Sequence, residues 1–152
     1  MTGKDYTDDC ILFRNVHKNM VKGNSPSANM FSPDLKGLST DWDKFTTPEE
    51  CLVRVGLTYK TDTVIYKDQT LFRLFELNVG EIRKIEAITD ISHTPKDNDP
   101  EEIGNPNNLS HTDVFYIDEE IRLKLKGIAK ETIDINRELV DIEVKNRRMI
   151  EN

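Results

Sequence analysis

The sequence predicts an α+β fold: a small mixed or antiparallel sheet, one short helix and one long C-terminal helix. Three observations carry that expectation. Short β-branched and aromatic runs recur between Cys10 and Ile117, separated by stretches rich in Asn, Gly and Pro. Thr47-Pro48-Glu49-Glu50 has the chemistry of a helix start. From Asp118 to Met149 there is no proline and one glycine, with acids crowding the start and bases the end, as a helix macrodipole favours.

The elements follow in chain order. Residues 1–9 are polar and acidic, without an apolar period, and read as a loose terminus. Cys10 to Arg14 is a short apolar run, expected as a buried strand. Residues 15–33 carry loop chemistry, with the turn placed at Gly23-Asn24-Ser25-Pro26. A strand is expected within Leu35–Trp42. A helix then runs from Pro48 to Val55, with Thr47 as cap, Glu50 reaching back to complete a capping box, and Gly56 as a left-handed stop. So short a helix needs Leu52, Val53 and Val55 packed on a sheet. Thr61 to Tyr66 reads as a strand. Thr70 to Leu77 fits the helical period, but its aromatic content and flanking turns favour a strand. Val79 to Arg83 is a helical turn or a bend, and Ile85 to His93 another strand. Residues 94–108 form a second long loop, and Leu109 to Ile117 the last strand. Residues 1–117 are thus an α/β body, and 118–152 a long amphipathic helix.

That C-terminal segment carries a seam at alternating steps of four and three: Ile121, Leu125, Ile128, Thr132, Ile135, Leu139, Ile142, Asn146 and Met149. Four heptads satisfy the pattern of a coiled coil, and the polar Thr132 and Asn146 have the character of register-setting residues. An unbroken helix of about thirty residues spans roughly 45 Å, more than a globule of this mass is across. Part of it must therefore bend or project. The alternative for its first half is a helix lying across the body's own sheet.

Composition narrows the function classes. The chain has 152 residues and a net charge of -7, which argues against general nucleic-acid binding. No apolar run is long enough to span a membrane, and the start MTGKDYTDDC lacks a secretory leader's pattern. Two cysteines without a CxxC motif fit a cytoplasmic chain. Cys51 reads as a small buried apolar residue rather than a nucleophile. There is no phosphate-loop, dinucleotide, nucleophile-elbow or zincin motif.

Three constellations remain. Arg14 and His17, with Ser39 and Thr40, have the donors to hold a phosphate or carboxylate. The alternative is that Arg14 pairs with an acid of the body and His17 sits on a surface loop. His93 and His111 flank the acidic loop and would complete a metal site only if they met in space; their spacing matches no zinc pattern, so no metal and no cofactor are expected. Trp42, near Phe45, reads as pinning the following helix to the sheet, with ligand stacking as the alternative.

Phe13-Arg14-Asn15-Val16-His17, Gly23, Ser25, Phe31-Ser32-Pro33, Leu38-Ser39-Thr40-Asp41-Trp42 and Thr47-Pro48-Glu49-Glu50 together resemble a family of small bacterial proteins to which no activity is attached. Val79-Gly80-Glu81-Ile82-Arg83, His93-Thr94-Pro95, Asn105-Pro106 and His111 extend the resemblance, which covers roughly residues 11–117. It implies a bacterial, intracellular domain and transfers no catalytic role. The C-terminal helix lies outside it and so reads as an assembly element. Two functions follow as expectations. One is a cytoplasmic subunit that associates with itself or another protein through the C-terminal helix. The other is a small enzyme or binding domain for a phosphorylated or nucleotide-like compound, built from Arg14, His17, Ser39, Thr40 and His111.

Overall fold

The computed structural model describes residues 5–33, 37–59, 65–86, 88, 90–98, 107–116 and 119–151. The fold is α+β. Six strands pair antiparallel throughout in the order β6-β7-β4-β1-β5-β8. They are β1 (Ile11–His17), β4 (Leu38–Trp42), β5 (Phe72–Asn78), β6 (Asp90–His93), β7 (His111–Phe115) and β8 (Lys130–Glu131). A separate two-stranded ribbon joins β2 (Val21–Lys22) to β3 (Ser25–Pro26). The helices are α1 (Pro48–Gly56), α2 (Val79–Arg83), α3 (Ile121–Ile128) and α4 (Arg137–Glu151).

Strand alternation divides the sheet into two faces. On one, Leu12, Leu38, Trp42, Leu77 and Val114 pack against Phe31, Ile82 of α2, and Ile121 and Leu125 of α3. On the other, Phe13 and Leu74 meet Cys51 of α1. Behind them Leu52, Val53 and Leu57 pack on Val140 and Val144 of α4.

Local chemistry accounts for most elements. Thr47 caps α1 by accepting from the Glu50 backbone N–H at 3.2 Å, and Pro48 occupies the first turn. Of residues 70–77, Thr70 and Leu71 close a 3-10 turn and 72–77 are strand: β5 pairs with β1 along its whole length, Ile11 opposite Asn78 through His17 opposite Phe72. Val79 to Arg83 is one helical turn, capped by the Asn78 side chain. Within residues 15–33, β1 continues to His17, and the expected turn closes the β2–β3 ribbon with Gly23 at φ 63°. The expected strand at 61–66 falls mostly on residues outside those described, as does most of the 94–108 loop.

Three expectations are corrected. Gly56 is no left-handed stop but the last residue of α1, where a Cβ would meet Val144 Cγ2 at 2.8 Å. The residue is small because α4 crosses there. The Glu50 carboxylate does not complete a capping box; it takes two hydrogen bonds from Arg147, at 2.7 and 3.0 Å.

The third correction is the largest. The single helix expected over 118–149 is broken into α3, β8 and α4. After Ile128 the chain turns extended at Ala129. Glu131 then pairs with Phe75 along the exposed edge of β5, and the Thr132 N–H donates to the Leu74 carbonyl at 2.9 Å. Glu131 also forms an ion pair with Arg73, and the Thr132 hydroxyl donates to Glu76 at 2.7 Å. An open strand edge offers backbone partners that compete with helix continuation. Asn136 restarts the helix by accepting from the Leu139 N–H. Among the described residues no helix of thirty residues therefore projects from the body.

Candidate functional site

A solvent-open cleft of about 270 Å³ lies over the β1–β4–β7 part of the sheet, on the α1 side. Its origin is incomplete coverage. Cys51 of α1 packs over the Phe13 and Leu74 end of that face. Across β4 and β7 the same face carries Ser39, Asp41, His111 and Asp113, and the pairing sets Ser39 opposite Asp113 and Asp41 opposite His111. On β1, Phe13 lies opposite Asp41, and Asn15, two residues further along, also lines the cleft. Polar side chains on a sheet face decline an apolar cover, and the cleft is what remains.

The walls add charge. Arg54 of α1, Lys67 and Lys96 line the cleft, with Asp41 on the sheet, and Thr58 and Asn108 at the rim. Arg54 Nη2 donates to Thr46 Oγ1 at 3.3 Å and to Ser110 Oγ at 3.2 Å. Its Nε is buried without a hydrogen-bond partner, and among the described residues Arg54 enters no ion pair. A partly buried guanidinium without a carboxylate is costly unless an anion reaches it. Asp41 Oδ1 accepts from Asn108 Nδ2 at 2.8 Å and Ser110 Oγ at 3.1 Å, which fixes the carboxylate. Lys96 and Asn108 exchange backbone hydrogen bonds of 2.8 and 2.9 Å, holding both at the rim. Cys51 lies at the back, where burial pushes its thiol well above the ordinary range, so it is not a thiolate nucleophile.

The residues expected at the site separate by strand parity. Ser39 and His111 belong to the cleft face. Arg14 and Thr40 edge the cleft along the chain, but their side chains serve the opposite face. Arg14 Nε donates to the Met30 carbonyl at 2.6 Å and Nη1 to the Ser39 carbonyl at 2.7 Å. Thr40 is buried and donates to the Thr112 carbonyl at 2.9 Å. His17 is elsewhere: its Nδ1 accepts from the Asn19 N–H, and its ring packs edge-on against Phe72. His111 is 8% exposed; its Nδ1 lies 2.8 Å from Thr94 Oγ1, which itself donates to Asp113 at 2.9 Å. The expected grouping of five thus reduces to two. Arg54, Asn15 and Asp41 were missed, and only the alternation along β1 and β4 could have pointed to the latter two.

His93 and His111 do not combine. His93 stacks on Phe45, 5.1 Å between centroids, and its Nε2 donates to the Leu109 carbonyl at 2.6 Å. Among the described residues no three His, Cys, Asp or Glu side chains cluster as metal ligands. Trp42 is buried against Tyr6, 4.1 Å between centroids.

The seam also divides. Ile121, Leu125 and Thr132 are buried in the body, and Ile128 and Ile135 pack at its margin. Leu139, Ile142, Asn146 and Met149 face solvent; Met149 is 70% exposed. Val140 and Val144, off the seam, are the residues α4 buries. No helix among the described residues is long and apolar enough to cross a membrane.

No protein-family model, curated protein or solved structure matches the chain, so the resemblance over residues 11–117 has no matching family model beside it.

Proposed function

We propose that the chain binds a small anionic compound in the cleft over β1, β4 and β7, as a cytoplasmic protein of bacterial type. One observation carries this reading: Arg54, with no ion pair among the described residues and a buried unpartnered Nε, lines a cleft shared with Lys67 and Lys96. The chain as a whole is acidic, with net charge -7. Arg54 and Lys67 beside the single described carboxylate of the lining, Asp41, are therefore a departure from its average surface and a focus for anions. Inorganic phosphate tests it through thermal stability, since a ligand of the folded state raises the melting temperature by mass action. Phosphate at tens of millimolar should raise it in the wild type and not in Arg54→Gln. Lys145→Gln, an exposed α4 cation away from the cleft, should respond as the wild type does. An equal shift in all three proteins would count against the site.

A second reading rests on the outward half of the seam. Leu139, Ile142 and Met149 form an exposed apolar stripe along α4, suited to pairing with another helix of this or another protein. The break at β8 removes the argument from helix length, so this reading depends on the stripe alone. Sedimentation velocity tests it: Ile142→Glu should abolish concentration-dependent association of the full chain, and a wild type that stays monomeric at high micromolar concentration would refute self-association.

A further inference from the structure

We infer that the compound held at Arg54 carries hydroxyl groups on its body, read by Asn15, Ser39 and Asp41, so that its chemical class is a small polyol phosphate. This rests on the anion-binding reading and adds the other half of the ligand.

The argument begins with unused hydrogen-bonding capacity. The Asn15 amide and the Ser39 hydroxyl line the cleft and make no side-chain hydrogen bond to a described residue. Asp41 is partly exposed. Both of its hydrogen bonds, from Asn108 and Ser110, fall on Oδ1, and among the described residues nothing donates to Oδ2. Asn15, Ser39 and Asp41 all line the cleft; Asn15 lies two residues beyond Phe13, which pairs with Asp41, and Ser39 lies two residues before Asp41 on β4. Together they present an amide, a hydroxyl and a fixed carboxylate oxygen to one cavity. A ligand hydroxyl can donate to Asp41 while accepting from Asn15 or Ser39, which an apolar group cannot do.

Spacing sets the size. Ser110 Oγ stands between the two charged groups, 3.2 Å from Arg54 Nη2 and 3.1 Å from Asp41 Oδ1. The anion anchor and the hydroxyl acceptor are therefore one small molecule apart. Lining chemistry disfavours a flat aromatic base: among the described residues the two aromatic rings at the cleft, Phe13 and His111, are 6% and 8% exposed, so neither offers a broad stacking face. The sheet-side donors favour a hydroxylated body over a nucleobase.

Calorimetric titration of the full chain with three probes tests the inference: inorganic phosphate, propyl phosphate and glycerol 3-phosphate. The last two have the same carbon count and phosphate and differ in hydroxyls. A site that hydrogen-bonds hydroxyls should bind glycerol 3-phosphate about tenfold more tightly than propyl phosphate. Asp41→Asn should reduce that ratio to about twofold or less, consistent with loss of the carboxylate acceptor. Because Asp41 also anchors Asn108 and Ser110, Ser39→Ala gives an independent arm; it should weaken glycerol 3-phosphate several-fold and propyl phosphate little. Equal affinity for the two esters, with phosphate still bound in an Arg54-dependent way, overturns the hydroxyl inference and leaves the anion site standing. Tighter binding of phosphoethanolamine than of glycerol 3-phosphate assigns Asp41 to an ammonium and likewise overturns it. Failure of all three probes to bind overturns both readings.

Discussion

The two faces of the sheet differ in how completely they are covered. The α2/α3 face is closed: Leu12, Leu77, Val114 and Leu125 are fully buried there, Tyr6 and Thr112 share a 2.8 Å hydrogen bond, and Trp42 Nε1 and Tyr116 OH are enclosed by apolar neighbours without a hydrogen-bond partner. The α1/α4 face is closed over Phe13 and Leu74 by Cys51 and leaves a cleft over Asn15, Ser39 and Asp41, where polar groups and cations meet solvent. Packing explains the first face without invoking a ligand. On the second, Arg54 Nε, Asn15, Ser39 and Asp41 have capacity that the described residues leave unfilled. Both faces carry a buried core, and only the second leaves a polar cleft, a division the fold achieves by alternating residue character along single strands.

That contrast can be broken by mutation. Leu125→Ala, at the centre of the closed face, should cost about 3 kcal/mol in chemical denaturation, with no effect on the cleft other than through folding. A cost below 1 kcal/mol would mean that α3 is not anchored there. Arg14→Ala should cost about 2 kcal/mol, because its guanidinium holds two buried-side carbonyls, those of Met30 and Ser39. A stable Arg14→Ala protein that has lost phosphate binding would instead assign Arg14 to the cleft. Ser39→Ala, on the open face, should change stability by no more than about 0.5 kcal/mol, and a larger loss would show its hydroxyl to be structural.

The arginine pair shows why the site was only partly legible. Read as a list, Arg14, Ser39 and Thr40 suggest a single anion site. Read with a period of two, consecutive residues on a strand cannot share a face, so Ser39 and Thr40 belong to different sides. Arg54 carried no such signal: as a basic residue in the last turn of a short helix, it is ordinary by sequence. What makes it distinctive is that no described acid pairs with it directly, and that depends on which residues the sheet brings to its neighbourhood.

The sequence by itself determined the elements whose causes are local. The Thr47 cap with Pro48 starts α1, the Asn78 cap starts α2, and Gly23 closes the ribbon turn. These depend on contacts within a few residues of one another. It also determined the fold class, because strand-forming runs and two helical signals leave few ways to bury their apolar faces. Tertiary structure decided the rest. The heptad from Ile121 to Met149 is continuous as a pattern, yet Lys130 and Glu131 leave the helix because the edge of β5, distant in sequence, offers hydrogen bonds and the Arg73 ion pair. Likewise the face that α4 buries is the one carrying Val140 and Val144, since Gly56 on α1 opens room for Val144 there. A periodic pattern states which residues can share a side of a helix; only the partner surface chooses the side.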